Sequence, residues 1–408
     1  MRMRALLAGV LLVAACGPDP TPRSAPPADL VFYRSAQGIV VADGRGEVLS
    51  AGATVAAPDW ARLYAVRGGD LVTIEPATGR EVASTAVREG LSARVVSADG
   101  GLVALTESGG DTYEPIPRTR TRITVADPSG AAPARDFDLV GNFEPEAFSG
   151  DRTHLYVLEY LPATAPARYR VRRVELATGT VVPLLLRDKS VVPAGAEEEM
   201  RGEGRQAVLS PDRGRLYTLY LHQGDHEHTR DLLPGPTSGG SQVHAFVHVL
   251  SLTEGWAYCL DLPSPFGEHP AGTHALTVSP DGTRLYVGEL TTKRVAVADT
   301  AELTITRVAT LPDDQVGGVG ATMSMSPDGD TLYVGSARNV LALDAKALTV
   351  RDLWPTPEPV QGLAVRPDGR QVLVGQRDHI ARLDPGTGKI LDTVVAPDLR
   401  TLYTTIAR

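Results

Sequence analysis

The chain has 408 residues, of which 42% are hydrophobic, 22% charged and 5% aromatic, with 41 Gly, 31 Pro and 2 Cys. That length supports a large core without disulfides or metals, and the composition excludes a collagen, a disulfide scaffold and a polytopic membrane protein. Forty basic residues against 49 acidic ones, net −9, leave no basic field for nucleic acid.

In chain order, the first signal is an address. Arg2 and Arg4 precede an apolar run of eleven residues, 5–15, too short to span a bilayer as a helix. The run closes on Val13-Ala14-Ala15-Cys16, which resembles a bacterial lipobox with Val13 where Leu is commoner. The resemblance implies a lipoprotein signal peptide over 1–15 and Cys16 as the lipidated first residue, carrying palmitate or related acyl chains. An ordinary secretory signal is the alternative. Residues 17–28 hold five prolines in twelve, so 16–28 read as an anchor followed by an extended, semi-rigid tether. Several acyl chains on one residue anchor durably. The expected location is the extracytoplasmic side of the bacterial cell membrane. Once Cys16 is lipidated, Cys259 has no second cysteine to pair with.

Next come three short β-forming stretches, 30–34, 39–43 and 47–50, and then a repeat. Its clearest copies are Ser210-Pro211-Asp212, Ser279-Pro280-Asp281-Gly282 and Ser326-Pro327-Asp328-Gly329, each followed shortly by Leu-Tyr. Arg366-Pro367-Asp368-Gly369 is a further copy, and weaker ones centre on Asp59, Asp99 and Asp151. Pro presets the first turn position, Asp bonds neighbouring amides and Gly supplies a positive φ, so each anchor predicts a tight hairpin. A second hairpin follows in each unit, as at Pro76-Ala77-Thr78-Gly79 and Pro385-Gly386-Thr387-Gly388. Two hairpins in a unit of about forty residues make a four-stranded propeller blade. The SPDG–LYV pattern over roughly 50–396 resembles the bacterial YVTN-type, WD-repeat-like β-propeller. An all-β fold is thus expected, a single propeller over 29–408. The three N-terminal strands and one C-terminal strand would form a composite blade, giving eight blades; seven is the alternative.

Chemistry is harder to read. No G-x-S-x-G, P-loop or H-E-x-x-H occurs, and Gly202-Glu203-Gly204 with Ala207 follows an acidic run rather than a strand, which reads as a loop entering a blade. Seven of nine histidines fall between His222 and His274. His244 and His248 would lie about 13 Å apart along a strand, too far to share a metal. A solvated loop between two strands of one blade is the expected reading of this stretch, with a divalent transition metal held by His226 and His228, with His222, as the alternative; no other cofactor is expected. His274, Arg366 and Arg205 are the ionisable groups expected on the inner strands, while His154 and His379 stand isolated. The expected function is a monomeric, membrane-anchored binding scaffold for an envelope protein or glycan, not an enzyme. The alternatives are a lactonase-like envelope enzyme and metal binding through residues 222–228.

Overall fold

The computed structural model describes residues 29–44, 46–107, 116–186, 200, 203–221, 245–312 and 320–406. It is a closed ring of eight antiparallel sheets with a single short 3₁₀ turn, Ala271–Thr273, among the described residues. Eight blades, not seven, follow from the strand pairing. Blade one is the composite: Thr401–Ile406 is its inner strand, followed outward by Leu30–Ser35, Gly38–Asp43 and Gly46–Ser50. The closing register sets Leu30 opposite Ile406 and Arg34 opposite Thr401, and the Thr405 hydroxyl donates to the Leu30 carbonyl at 3.0 Å. Joining the two ends of the chain removes both sheet edges at the seam.

Blades two to eight each begin with their inner strand and run outward. Blade five carries a fifth strand, Leu185–Leu186, added in parallel outside Trp256–Asp261. No helix among the described residues is long and apolar enough to cross a membrane.

The core is a set of eight apolar layers, one between each pair of neighbours. Strand alternation explains how one strand serves two layers. In blade one, Val31 and Tyr33 pack against blade eight while Leu30 and Phe32 pack against blade two. In blade six, Tyr286 faces blade seven while Leu285 and Val287 face blade five. Each fully buried large side chain contributes about 1.5–3 kcal/mol. Because both faces of every blade are covered, the central strands read as nearly continuous apolar runs.

The anchors fold as their residues dictate, with one addition. In five of them Ser donates to the Asp carboxylate at 2.5–2.7 Å, and that carboxylate accepts the amide two residues on at 2.9–3.0 Å. The same Ser oxygen accepts the amide five residues on at 2.8–3.0 Å. Ser is therefore a hub of the turn and not merely a neighbour of Pro. The repeat's Tyr reaches beyond its blade. Tyr64 donates to the Gly100 carbonyl of blade three at 3.2 Å, and Tyr286 to the Ala345 carbonyl of blade seven at 3.1 Å. At the second hairpin of blade eight, Gly388 (φ +66°) lies so close over Trp354 of blade seven that a Cβ would stand 2.2 Å from its ring. Only Gly fits there.

Candidate functional site

Strand direction gives the ring two unlike rims. Inner strands end at the anchor turns, so all anchors and all second hairpins lie on one face, here the turn rim. The connections within each central hairpin, and those from one blade to the next, lie on the opposite loop rim. The turn rim is uniform and cross-tied. At its inner edge Arg213 of blade five donates to the Ala98 carbonyl of blade three at 2.6 Å, and Arg152 of blade four pairs with Asp99 at 3.1 Å. The longest connections between described strands of one blade, from Glu107 to Arg120 and from Leu221 to Ala245, leave and rejoin the propeller on the loop rim. The chain passing from blade four to blade five instead departs after Leu185–Leu186, paired with Trp256 and Ala257 beside the second hairpin of blade five, and returns at Met200 opposite Tyr169. The longest connections within blades are thus on one side.

Two ionic clusters stand on that side. In the first, the Glu144 carboxylate of blade four's inner strand, Asn142–Phe148, is flanked by two guanidinium groups. Arg94 on the inner strand of blade three, Leu91–Val96, bonds it through Nε, and Arg118 lies 3.9 Å away. Asn142 fixes the surroundings by donating to the Ile116 and Ala163 carbonyls at 2.8 and 3.0 Å. The Nε of Arg118 is buried without a hydrogen-bond partner.

The second cluster joins blade six to the connection preceding it. Glu289, fully buried, accepts from Thr273 Oγ1 at 3.2 Å, from the amides of Thr291 and Thr292 at 3.0 and 2.7 Å, and from the Thr292 hydroxyl. Burial pushes its pKa up, but the Thr292 hydroxyl and the two amides outweigh it and leave the carboxyl below its ordinary value. His274, also fully buried, accepts from the Gly267 amide at Nε2, 3.1 Å. Its proton therefore sits on Nδ1, facing the Pro270 carbonyl at 3.3 Å and Thr273 Oγ1 at 3.2 Å. Burial holds the imidazole pKa below its ordinary value despite the nearby Glu289 charge. Gln206 of blade five donates to the His274 carbonyl at 2.7 Å. These groups consume one another's bonds, so the cluster works as a lock on the loop rim. His269 Nδ1, 3.8 Å from Glu289, is its outermost member.

The sequence-predicted residues separate accordingly. Cys16, His222, His226, His228 and His244 lie outside the described residues, and so does the side chain of Arg205. His274 is on an inner strand as expected, but buried in the lock. Arg366 follows the inner strand of blade eight, Gly362–Val365, and faces Asp29. His154 is not isolated: its Nδ1 stands 2.6 Å from the Thr153 hydroxyl. His248 is buried on the strand Ala245–Ser251, directly opposite Cys259, which is buried and forms no disulfide. Gly204 and Ala207 fall within the inner strand Glu203–Leu209, not in a loop. Among the described residues no three His, Cys, Asp or Glu side chains are placed to hold a metal ion.

Of the residues missed, Arg94 and Glu144 lie on inner strands that precede the weaker anchors, whereas Glu289 ends the second strand of blade six and Arg118 lies in the connection before Arg120–Ala126, where no repeat signal points. The rule that an inner strand precedes each anchor, applied to Asp99 and Asp151, finds Arg94 and Glu144.

No family model and no curated protein matches the chain. Among solved structures it is similar to apo AztD from Citrobacter koseri, with a TM-score of 0.55 at 12% identity over 93% of this chain and 98% of that one. It is also similar to the dihydro-heme d1 dehydrogenase NirN in complex with DHE, at TM-score 0.55 and 15% identity over 95% and 77%. Sqt1 from Saccharomyces cerevisiae follows at 0.52 and 9% over 92% and 90%. At such identities the likeness is one of fold alone, and a propeller fold hosts many functions.

Proposed function

We propose that the chain is a binding scaffold of the bacterial envelope, tethered through Cys16 to the extracytoplasmic side of the cell membrane and engaging an envelope protein or glycan through its loop rim. The observation that carries this reading is the asymmetry of the rims. One rim repeats the same Asp-centred turn seven times, and the anchor Asp carboxylates are spent on closing it. The other carries the longest connections within blades, from Glu107 to Arg120 and from Leu221 to Ala245, which is how a rigid propeller acquires specificity. Site-specific photo-crosslinking tests it: probes at Thr291 and Arg338 on the loop rim are expected to capture a partner in intact cells. Adducts from Thr387 on the turn rim but from neither of these would refute it.

A second reading is metal binding by His222, His226 and His228, supported by their spacing in the sequence, with His226 and His228 two residues apart and His222 four before His226. Calorimetry with Zn²⁺ is expected to show one site that His226→Ala/His228→Ala abolishes. An unchanged isotherm removes these residues from consideration.

A further inference from the structure

The point at which the chain enters the ring sets which rim can face the membrane, given the lipid anchor proposed above. The inner strand Thr401–Ile406 runs from the loop rim to the turn rim, and Leu30–Ser35 pairs with it antiparallel, Leu30 against Ile406. The first strand therefore starts at the turn rim. Asp29 is fixed there by Arg366, whose Nε and Nη2 stand 3.0 and 3.3 Å from its two carboxylate oxygens. We infer that the turn rim faces the lipid surface and the loop rim is presented away from it.

Reach supports the assignment. A Pro-rich stretch of twelve residues, the number between Cys16 and Asp29, can span no more than about 37 Å at ~3.1 Å each. To bring the loop rim to the headgroups, the tether would first pass outward over the strands Gly38–Asp43 and Gly46–Ser50, about 10 Å at ~4.8 Å per strand. It would then climb the blade, about 20 Å for a six-residue strand at ~3.3 Å per residue, and round the turns at both rims. Nearly the whole length is used before any lipid is met. With the turn rim towards the bilayer the tether descends directly. The face turned to the membrane is then the one built of the repeated turns, and the loop rim proposed above to bind is left to soluble envelope partners and not to neighbours embedded in the same leaflet.

The test uses the full-length acylated protein in vesicles of phosphatidylethanolamine and phosphatidylglycerol carrying a lipid-linked acceptor dye. A donor is placed at Gln37→Cys on the loop rim or at Lys389→Cys on the turn rim, both exposed and in adjacent blades. Native Cys259 is buried and Cys16 is consumed by the acyl linkage, so the introduced thiol takes the dye. Transfer from position 389 is expected to exceed that from position 37 several-fold. Equal transfer, or more from 37, overturns the orientation while leaving the anchor standing. Protein that fails to float with the vesicles and carries no fatty acid on its N-terminal peptide overturns both. Duplicating residues 17–28 doubles the reach and is expected to shrink the difference; a difference that does not change overturns the tether as its cause.

Discussion

Arg366 and Asp29, 337 residues apart in the chain, meet across the seam of the ring, with Nη2 donating to Oδ1 at 3.3 Å and Nε facing Oδ2 at 3.0 Å. The pair accounts for a departure in the repeat. Five anchors place Ser two residues before the Asp, whereas blade eight places Arg366, which also stands 3.5 Å from Asp368. Blade eight gives up the Ser–Asp link, keeps the Asp368 bond to the Arg370 amide at 3.0 Å, and in exchange holds the N-terminal entry of the propeller.

Removing either partner should therefore loosen the seam. Arg366→Ala and Asp29→Ala are each expected to cost about 1–2 kcal/mol, because the pair is largely buried and a charge-assisted contact is lost. In the double variant the costs should not add, since the two residues act on one contact. Denaturant titration of the four proteins measures this, and strictly additive losses would show that the pair is not coupled.

The Ser–Asp anchors predict how acid unfolds the ring. Asp151 is held down to about 2 by the Ser149 hydroxyl, the Thr153 amide and the Thr153 hydroxyl. Asp99, Asp212, Asp281 and Asp328 are likewise lowered, each chiefly by its anchor Ser. A carboxyl with a depressed folded pKa contributes stability that is present above its unfolded value, near 4, and lost as pH falls towards the folded value. Thermal stability should fall between about pH 4 and pH 2, and Ser149→Ala should flatten part of that slope while costing about 1 kcal/mol at neutral pH. A Ser149→Ala melting curve parallel to the wild type across this window would count against the anchor as the source.

The architecture was legible because its cause is local and repeated. Asp-centred turns recur in seven blades and apolar runs in all eight, and the unmatched strands at the two ends sufficed to count eight. The sites were less legible because they depend on which residues of different blades become neighbours. Glu289 lies at the end of an ordinary Leu-Tyr-Val strand, where the hairpin register sets it opposite His274 of its own blade, but nothing there tells that Thr273, Pro270 and Gly267 of the preceding connection will close around the pair. Arg94 and Glu144 belong to adjacent inner strands 50 residues apart in sequence. Arg366 looked like an inner-strand functional group, and its partner Asp29 stands at the other end of the chain.

Trp60 shows the same trade at one backbone position. Its φ is +59°, where the equivalent anchor residues of blades three, six, seven and eight are Gly100, Gly282, Gly329 and Gly369. A left-handed conformation costs a bulky residue about 1–2 kcal/mol. The ring offsets this by packing 5.0 Å from Phe32 and 5.1 Å from Tyr403, which joins blade two to blade one. Trp60→Ala loses the packing and keeps the strain, while Trp60→Gly loses the packing and relieves it. The Gly variant is therefore expected to be the more stable of the two by about 1 kcal/mol, though less stable than the wild type. An Ala variant as stable as Gly would mean that the turn has moved out of the left-handed region.

His274 makes the loop rim sensitive to mild acid. The buried imidazole has a folded pKa below 6.5, so in the native ring it stays neutral while the unfolded chain takes up a proton near 6.5. The sign follows: the stability it contributes is complete above about pH 6.5 and declines as pH falls below that value, because the unfolded state binds the proton that the native state refuses. Protonation inside the ring would also place a donor at Nε2, against the Gly267 amide that now donates to it. The connection 263–273 should therefore exchange its amide hydrogens faster at pH 5.5 than at pH 7.5, beyond the intrinsic effect of pH. His274→Asn is expected to abolish that difference at some cost in overall stability. Should the connection stay equally protected at both pH values in the wild type, the lock is held by Glu289 and its threonines alone, and His274 serves only to fill it.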